Sequence, residues 1–316
     1  MSLRHRFILA AVAVGLFTCG AHAWASQQAE PPAIIGRWDI TVNGPERSYP
    51  SWLEVRKSGY RTLVGRYVGR SGSSRPISKI EFADGQLRFT IPVQWERRET
   101  DIQFEGKLEG DRITGWTTDE AGNRLNWSAE RAPTLRRQAE PRWGNPIRLL
   151  NASDLKGWHH AEGENNWKMI NGVLTNVKAG GNLVTDQTFN DFKLHAEFRY
   201  PKGGNSGIYL RGRYEVQIED SAGREPESIH LGGIYGFLAP NEDAARKAGE
   251  WQSFDVTLVG RLVTVVLNGK AIICNQEIPG ITGGAIDSNE SAPGPLFLQG
   301  DHGPVEFRNI ILTPAK

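Results

Sequence analysis

Short runs of alternating apolar and polar residues, punctuated by glycine, recur from Ile34 to the end of the chain. Side chains on a strand alternate between faces with period two, so such runs predict half-buried β-strands. Helical 3.6-residue patterns are scarce. With 36 glycines and 17 prolines supplying turns, the pattern predicts an all-β protein rather than βαβ units.

Residues 34–133 read as a first unit. "GRWDITV", "SWLEVRK", "TLVGRYVG", "ISKIEFADGQLRFTI", "DIQFEGKLEGDRITGWTT" and "RLNWSAERA" give six to eight strands, with Asp84-Gly85 as a hairpin turn. Near-neighbour strands in a meander predict a small antiparallel barrel, lipocalin-like, as an accessory or packing domain. Trp38, Trp52, Trp95, Trp116 and Trp127 are read mainly as core. "APTLRRQAEPRWGNP" mixes proline with charge and has no period, which makes 134–146 a linker.

Residues 147–316 read as a second unit. "WKMINGVLTNV" and "LVTVVLNGKAIICN" place Asn-Gly between apolar alternations, the signal of a tight hairpin. "FKLHAEFRY", "WQSFDVTLVG", "GPLFLQG" and "PVEFRNIIL" bring the total to about ten strands. That number favours a two-sheet jelly roll.

"GGNSGIYLRGRYEVQIED", Gly203 to Asp220, alternates most sharply. Read as one strand, it puts Ile208, Leu210, Tyr214, Val216 and Ile218 on one face. Tyr209, Arg211, Arg213, Glu215, Gln217 and Glu219 fall on the other. Two arginines, a glutamine and two carboxylates on one face suit either a solvated surface or the floor of a cleft.

Composition narrows the field. The chain is 39% hydrophobic and 23% charged, values of an ordered globular protein. A net charge of +1 without a concentrated basic block argues against nucleic acid as a partner. Arg4, His5 and Arg6 precede the short apolar run "FILAAVAVGLF" and small residues up to Ala25, so 1–25 read as a secretory signal peptide. No later stretch approaches membrane-spanning length. The expected location is periplasmic or secreted; a lipid anchor at Cys19 fits the cleavage pattern less well. Cys274 is then left without a disulfide partner and is expected to be a buried thiol.

The ordered motifs "LLNASDLKGWH", "WKMINGVL", "DFKLHAEFRY", "GGNSGIYLRGRYEVQIED", "GGIYG", "GEWQSFDV", "LNGKAI" and "GPLFLQGDHGPVEFRNI" resemble the 3-keto-disaccharide hydrolase domain family over about 145–316. The resemblance implies a concanavalin A-like jelly roll and cleavage of glycosides whose sugar carries a ketone at C3. "ITGGAIDSNESAPGPL" departs from the family's common wording, so substrate specificity is not carried over.

Residues four apart on a strand lie roughly 13 Å apart, whereas paired-carboxylate hydrolysis needs roughly 5–5.5 Å or 6.5–9.5 Å. Glu215 and Glu219 therefore make a poor glycosidase pair. A 3-keto sugar relaxes the demand, because the ketone acidifies the C2 proton and one base suffices. Glu215 is the candidate base or metal ligand, with an ion pair to Arg211 or Arg213 as its competing role. Arg211 is the candidate for stabilising the enolate or holding a sugar hydroxyl, and His302 the candidate acid or metal ligand. Gln217, Gln299, Asn205, Tyr209 and His230 are the candidate sugar-binding residues. A divalent metal ion is a possible cofactor, but no compact ligand motif identifies one. A small carbohydrate is the expected partner, and a non-catalytic lectin-like protein is the competing reading.

Overall fold

The computed structural model describes residues 32–316 apart from Trp95 and Ala152; the leader read at 1–25 lies outside them. Among the described residues every regular element is a strand. No helix there is long and apolar enough to cross a membrane.

The first eight strands are β1 (Gly36–Asn43), β2 (Ser48–Ser58), β3 (Thr62–Val68), β4 (Arg75–Ala83), β5 (Gln86–Ile91), β6 (Ile102–Glu109), β7 (Arg112–Thr118) and β8 (Arg124–Arg131). Each pairs antiparallel with the next, and β1 pairs with β8 to close a barrel. Trp38, Trp127, Phe89 and Phe104 fill it, the two phenylalanines stacked at 4.7 Å. Trp52 behaves differently: it belongs to the jelly-roll core.

The second part holds β9 (Ile147–Arg148), β10 (Trp158–Ala161), β11 (Trp167–Ile170), β12 (Val173–Asn176), β13 (Asn182–Phe189) and β14 (Phe192–Arg199). They are followed by β15 (Asn205–Leu210), β16 (Tyr214–Glu219), β17 (Gln252–Val259), β18 (Leu262–Leu267), β19 (Lys270–Glu277), β20 (Gly294–Leu298) and β21 (Val305–Pro314). A five-stranded sheet in the order β10-β13-β20-β15-β16 accompanies an eight-stranded one, β11-β12-β21-β14-β17-β18-β19 with β9 on β21. Leu194, Phe198, Phe254 and Phe307 of the larger sheet share one buried core with Ile208, Leu210, Val216 and Ile218 of the smaller. Burying each contributes about 1.5–3 kcal/mol. This is a jelly roll of the concanavalin A-like kind.

The turn signals hold. Asp84-Gly85, Asn171-Gly172 and Asn268-Gly269 all take positive φ between paired strands, as a two-residue hairpin turn requires.

Two expectations are corrected. Gly203–Asp220 is a hairpin of β15 and β16, because Arg211 (φ 54) and Gly212 (φ 67) reverse the chain. Cys274 is exposed. Register shifts in the β18–β19 pairing bring Ile272 and Ile273 both into the core, and the next side chain then faces out. The 134–146 connection is tied to the jelly roll, Arg137 bonding Asp191 at 2.9 Å and Trp143 bridging to Ala315.

Candidate active site

The β15–β16 hairpin presents two faces. Its even-numbered residues enter the core between the sheets. Cross-strand pairing places Tyr209 opposite Glu215, Gly207 opposite Gln217 and Asn205 opposite Glu219, so these share the other face. Gln299, just past β20, joins them through its backbone N–H, which donates to the Gly207 carbonyl at 3.0 Å.

Glu215 is 3% exposed. Its Oε2 accepts a hydrogen bond from the Tyr209 hydroxyl at 2.8 Å. Its carboxylate lies over Gly207, where a Cβ would overlap it; only glycine leaves that space. Among the described residues no cation pairs with it, which removes the ion pair to Arg211 or Arg213. Burial without a counter-charge pushes its carboxyl up to about 8. The Tyr209 bond opposes that rise, and the nearby Asp301 charge adds to it.

Tyr209 is itself buried, stacked on Phe297 at 4.3 Å. Its oxygen lies 2.8 Å from both the Glu215 carboxylate and the Gly283 carbonyl. A phenol has one proton, so it donates to one of them at a time. When Glu215 is protonated, its own O–H donates to Tyr209 and Tyr209 donates to Gly283. All three groups are then satisfied.

Around this pair, buried acceptors lack partners: Gln217 Oε1, Gln299 Oε1 and Glu219 Oε2. Unpaired buried acceptors cost free energy, and a hydroxylated ligand would satisfy them. Gln217 Nε2 donates to the Ile229 carbonyl at 3.2 Å. Glu219 pairs with Arg224 at 3.4 Å, and Asp220 receives the Gly203 N–H at 2.8 Å. Glu219 thus has a cation of its own.

The other predicted residues are dispersed. Arg211 stands at the hairpin turn, not beside Glu215. Its Nη2 donates to the carbonyls of Glu290 and Ala292, the latter at 2.9 Å. The reversal of the chain moved it there. Arg213 forks onto Asp287 at 2.7 and 3.0 Å. His302 is exposed and meets Asp301 at 2.6 Å, which raises its pKa. His230 is half-buried, its Nδ1 2.9 Å from the Glu225 carbonyl of its own loop. Among the described residues no group of three or more His, Cys, Asp or Glu is arranged to hold a metal ion.

Sequence reasoning missed Tyr235. The 231–236 segment runs along β16, with Gln217 N–H donating to the Gly233 carbonyl and Tyr235 N–H to the Glu215 carbonyl. Burial and then the Glu215 and Glu219 charges raise the Tyr235 phenol's pKa. The paired glycines of "LGGIYG" were the available signal: Gly232 takes φ 82, and a Cβ on either glycine would overlap Ile272 or the Ser228 backbone.

A model of the 3-keto-alpha-glucoside-1,2-lyase-like domain matches residues 145–313. The chain belongs to this family. That match covers the jelly roll, including the Tyr209–Glu215 pair, and leaves the barrel outside. Among solved structures, a candidate glycosyl hydrolase from Parabacteroides distasonis is 32% identical, over 53% of this chain and 82% of that one, with a TM-score of 0.47. A second from the same organism is 19% identical, over 53% and 92%, at 0.45. A carbohydrate-binding module, CBM66 from Bacillus subtilis, is 12% identical, over 52% and 98%, at 0.35. No curated protein matches the chain.

Proposed function

We propose that this family member is an exported enzyme that cleaves 3-keto-glycosides, with Glu215 as the general base. The observation that carries the reading is a buried glutamate with no cation partner, raised to about 8, among acceptors that await donors. A carboxylate of that basicity is a stronger base than an ordinary one, and it is still ionised in part near neutral pH. Export rests on the leader pattern of 1–25.

The ketone at C3 acidifies the C2 proton. Glu215 takes that proton, and the electron pair is held as an enolate on the C3 oxygen. Its collapse forms the C1=C2 bond and breaks the C1–O bond to the leaving group. A proton from His302, whose pKa Asp301 raises, goes to the departing oxygen. The product is a 2-hydroxy-3-keto-glycal, and water adding at C1 would complete a net hydrolysis. Gln217 and Gln299 accept hydrogen bonds from sugar hydroxyls.

The test is incubation of the full chain with a 3-keto-glucoside, with and without a chelator or added divalent ions, beside Glu215→Gln. Proton NMR in D2O should show loss of the C2 proton and release of the leaving group in the wild type alone. Binding of the sugar without turnover under every metal condition would replace this reading with a lectin-like one.

A further inference from the structure

The barrel presses on both loops that flank Glu215. Its β3–β4 loop, 69–74, meets the β19–β20 loop: the Gly284 N–H donates to the Arg70 carbonyl at 2.9 Å. The approach is so close that a Cβ on Gly283 would overlap the Gly72 backbone. The same barrel loop meets the segment beside Tyr235. A Cβ on Gly236 would lie 2.6 Å from the Ser74 nitrogen and 2.8 Å from Ser73 Cα.

Trp52 on β2 makes the second contact. It is fully buried, it covers Gly280, and it meets Phe237 edge-on at 5.3 Å. Arg66 stands over both rings at 6.0 and 5.4 Å. Each loop is therefore gripped at two points by the barrel.

We propose that the barrel's 69–74 loop and Trp52 are positioning elements of the Glu215 site, holding the Gly283 carbonyl and the Tyr235 segment against the Tyr209–Glu215 pair. The proposal rests on Glu215 being the base. Contact runs unbroken from the Arg70 carbonyl to the Gly284 N–H, and one residue earlier from the Gly283 carbonyl to Tyr209 and on to Glu215.

The link works through proton competition. Ionising Glu215 draws the Tyr209 proton away from the Gly283 carbonyl, which is then left without its donor. Held in place, that carbonyl favours the neutral acid. If it drifts, Tyr209 serves the carboxylate alone, and entering water favours the charged form as well. Tyr209 from β15 bonds Glu215 directly, Tyr235 lies in the segment whose backbone pairs with Glu215, and the Asp301 charge from the β20–β21 loop, itself bonded to His302, adds to the burial cost. Arg70 instead lies over the Tyr49 ring at 5.8 Å, so the barrel acts by holding shape and not by charge.

Two variants of the full chain test this. Gly283→Ala wedges the loops apart. Trp52→Phe loosens the grip on Gly280 without breaking a hydrogen bond, since the indole N–H has no partner. The pH profile of kcat/KM and an isotope-edited infrared titration of the Glu215 carboxyl are read in both. The midpoint should fall by about one pH unit, the size of one lost buried hydrogen bond. Variants that melt earlier but keep the wild-type midpoint would overturn the proposal and leave the barrel a packing domain. Should Gly283→Ala fail to fold, Trp52→Phe decides alone. If the wild type turns over no keto-glycoside, the functional reading fails, yet the infrared midpoints still decide the positioning.

Discussion

The Tyr209 hydroxyl stands 2.8 Å from Glu215 Oε2 and 2.8 Å from the Gly283 carbonyl, one proton between two acceptors. Burial makes the charge of Glu215 costly, the Tyr209 bond offsets part of that cost, and the neutral form is well satisfied.

With an aryl leaving group, which departs without a proton, turnover should rise with pH through about 8, because the base is active only when ionised. Tyr209→Phe removes the one donor to the carboxylate and should move that rise to higher pH. A kcat/KM profile that is flat from pH 6 to 9 in both proteins would remove Glu215 from the chemistry.

The same raised pKa predicts a stability cost. Between about 4.5 and about 8 the folded chain holds a proton on Glu215 that the unfolded chain releases, so its contribution to stability falls as pH rises through that window. Glu215→Gln should therefore lose about 10²–10⁴-fold in kcat yet gain thermal stability over the wild type as pH rises. Each tenfold change in proton affinity is worth about 1.4 kcal/mol. Melting curves at pH 5 and pH 8.5 check this: the gap between the two proteins should widen at the higher pH.

Gln299 separates ligand binding from folding. Its Oε1 is buried without a donor, so Gln299→Leu removes an unsatisfied acceptor and should not lower the melting temperature. If that oxygen receives a sugar hydroxyl, KM should rise about tenfold, one hydrogen bond's worth, with kcat little changed. Unchanged KM would place the sugar elsewhere.

The architecture was largely legible in the sequence and the site only partly. Asp-Gly and Asn-Gly turns fix local geometry by themselves, so the hairpins they close were readable. The reversal at Arg211-Gly212 was hidden. Paired residues such as Tyr209 and Glu215 have numbers of the same parity, so period-two alternation passes through a three-residue loop unbroken. A hairpin and one long strand then look alike. Glu215 keeps its place on the polar face in both readings, whereas Arg211 does not. The approach of Gly72 to Gly283 joins residues far apart in the chain, and no local pattern reports it.

Arg211 tests that correction directly. Arg211 is 2% exposed, and its guanidinium secures the 290–292 loop, beside Glu290, which Arg261 grips at 2.6 and 2.9 Å. Arg211→Met should lower stability by about 1–3 kcal/mol in a denaturant titration, while the midpoint of the pH–rate profile stays in place. A loss of several hundredfold in kcat at unchanged stability would return Arg211 to the enolate.

In the proposed mechanism His302 acts on the leaving group, and the choice of substrate reveals it. An aryl oxide departs without a proton, whereas the alkoxide of a second sugar needs one. His302→Ala should therefore slow cleavage of a 3-keto-disaccharide by about 10²-fold and leave a nitrophenyl 3-keto-glucoside within a few-fold of wild type. Asp301→Asn should weaken the raised basicity of His302, since its hydrogen bond is the main cause of that rise, and so move the His302 ionisation seen with the 3-keto-disaccharide to lower pH. Asp301 also adds to the charge that Glu215 feels, so the same change should lower the midpoint read with the nitrophenyl substrate, which needs no proton donor. A variant that moves only the nitrophenyl midpoint would leave Glu215 as the base and assign the proton donor elsewhere, with Tyr235, whose backbone N–H bonds the Glu215 carbonyl, the next group to test.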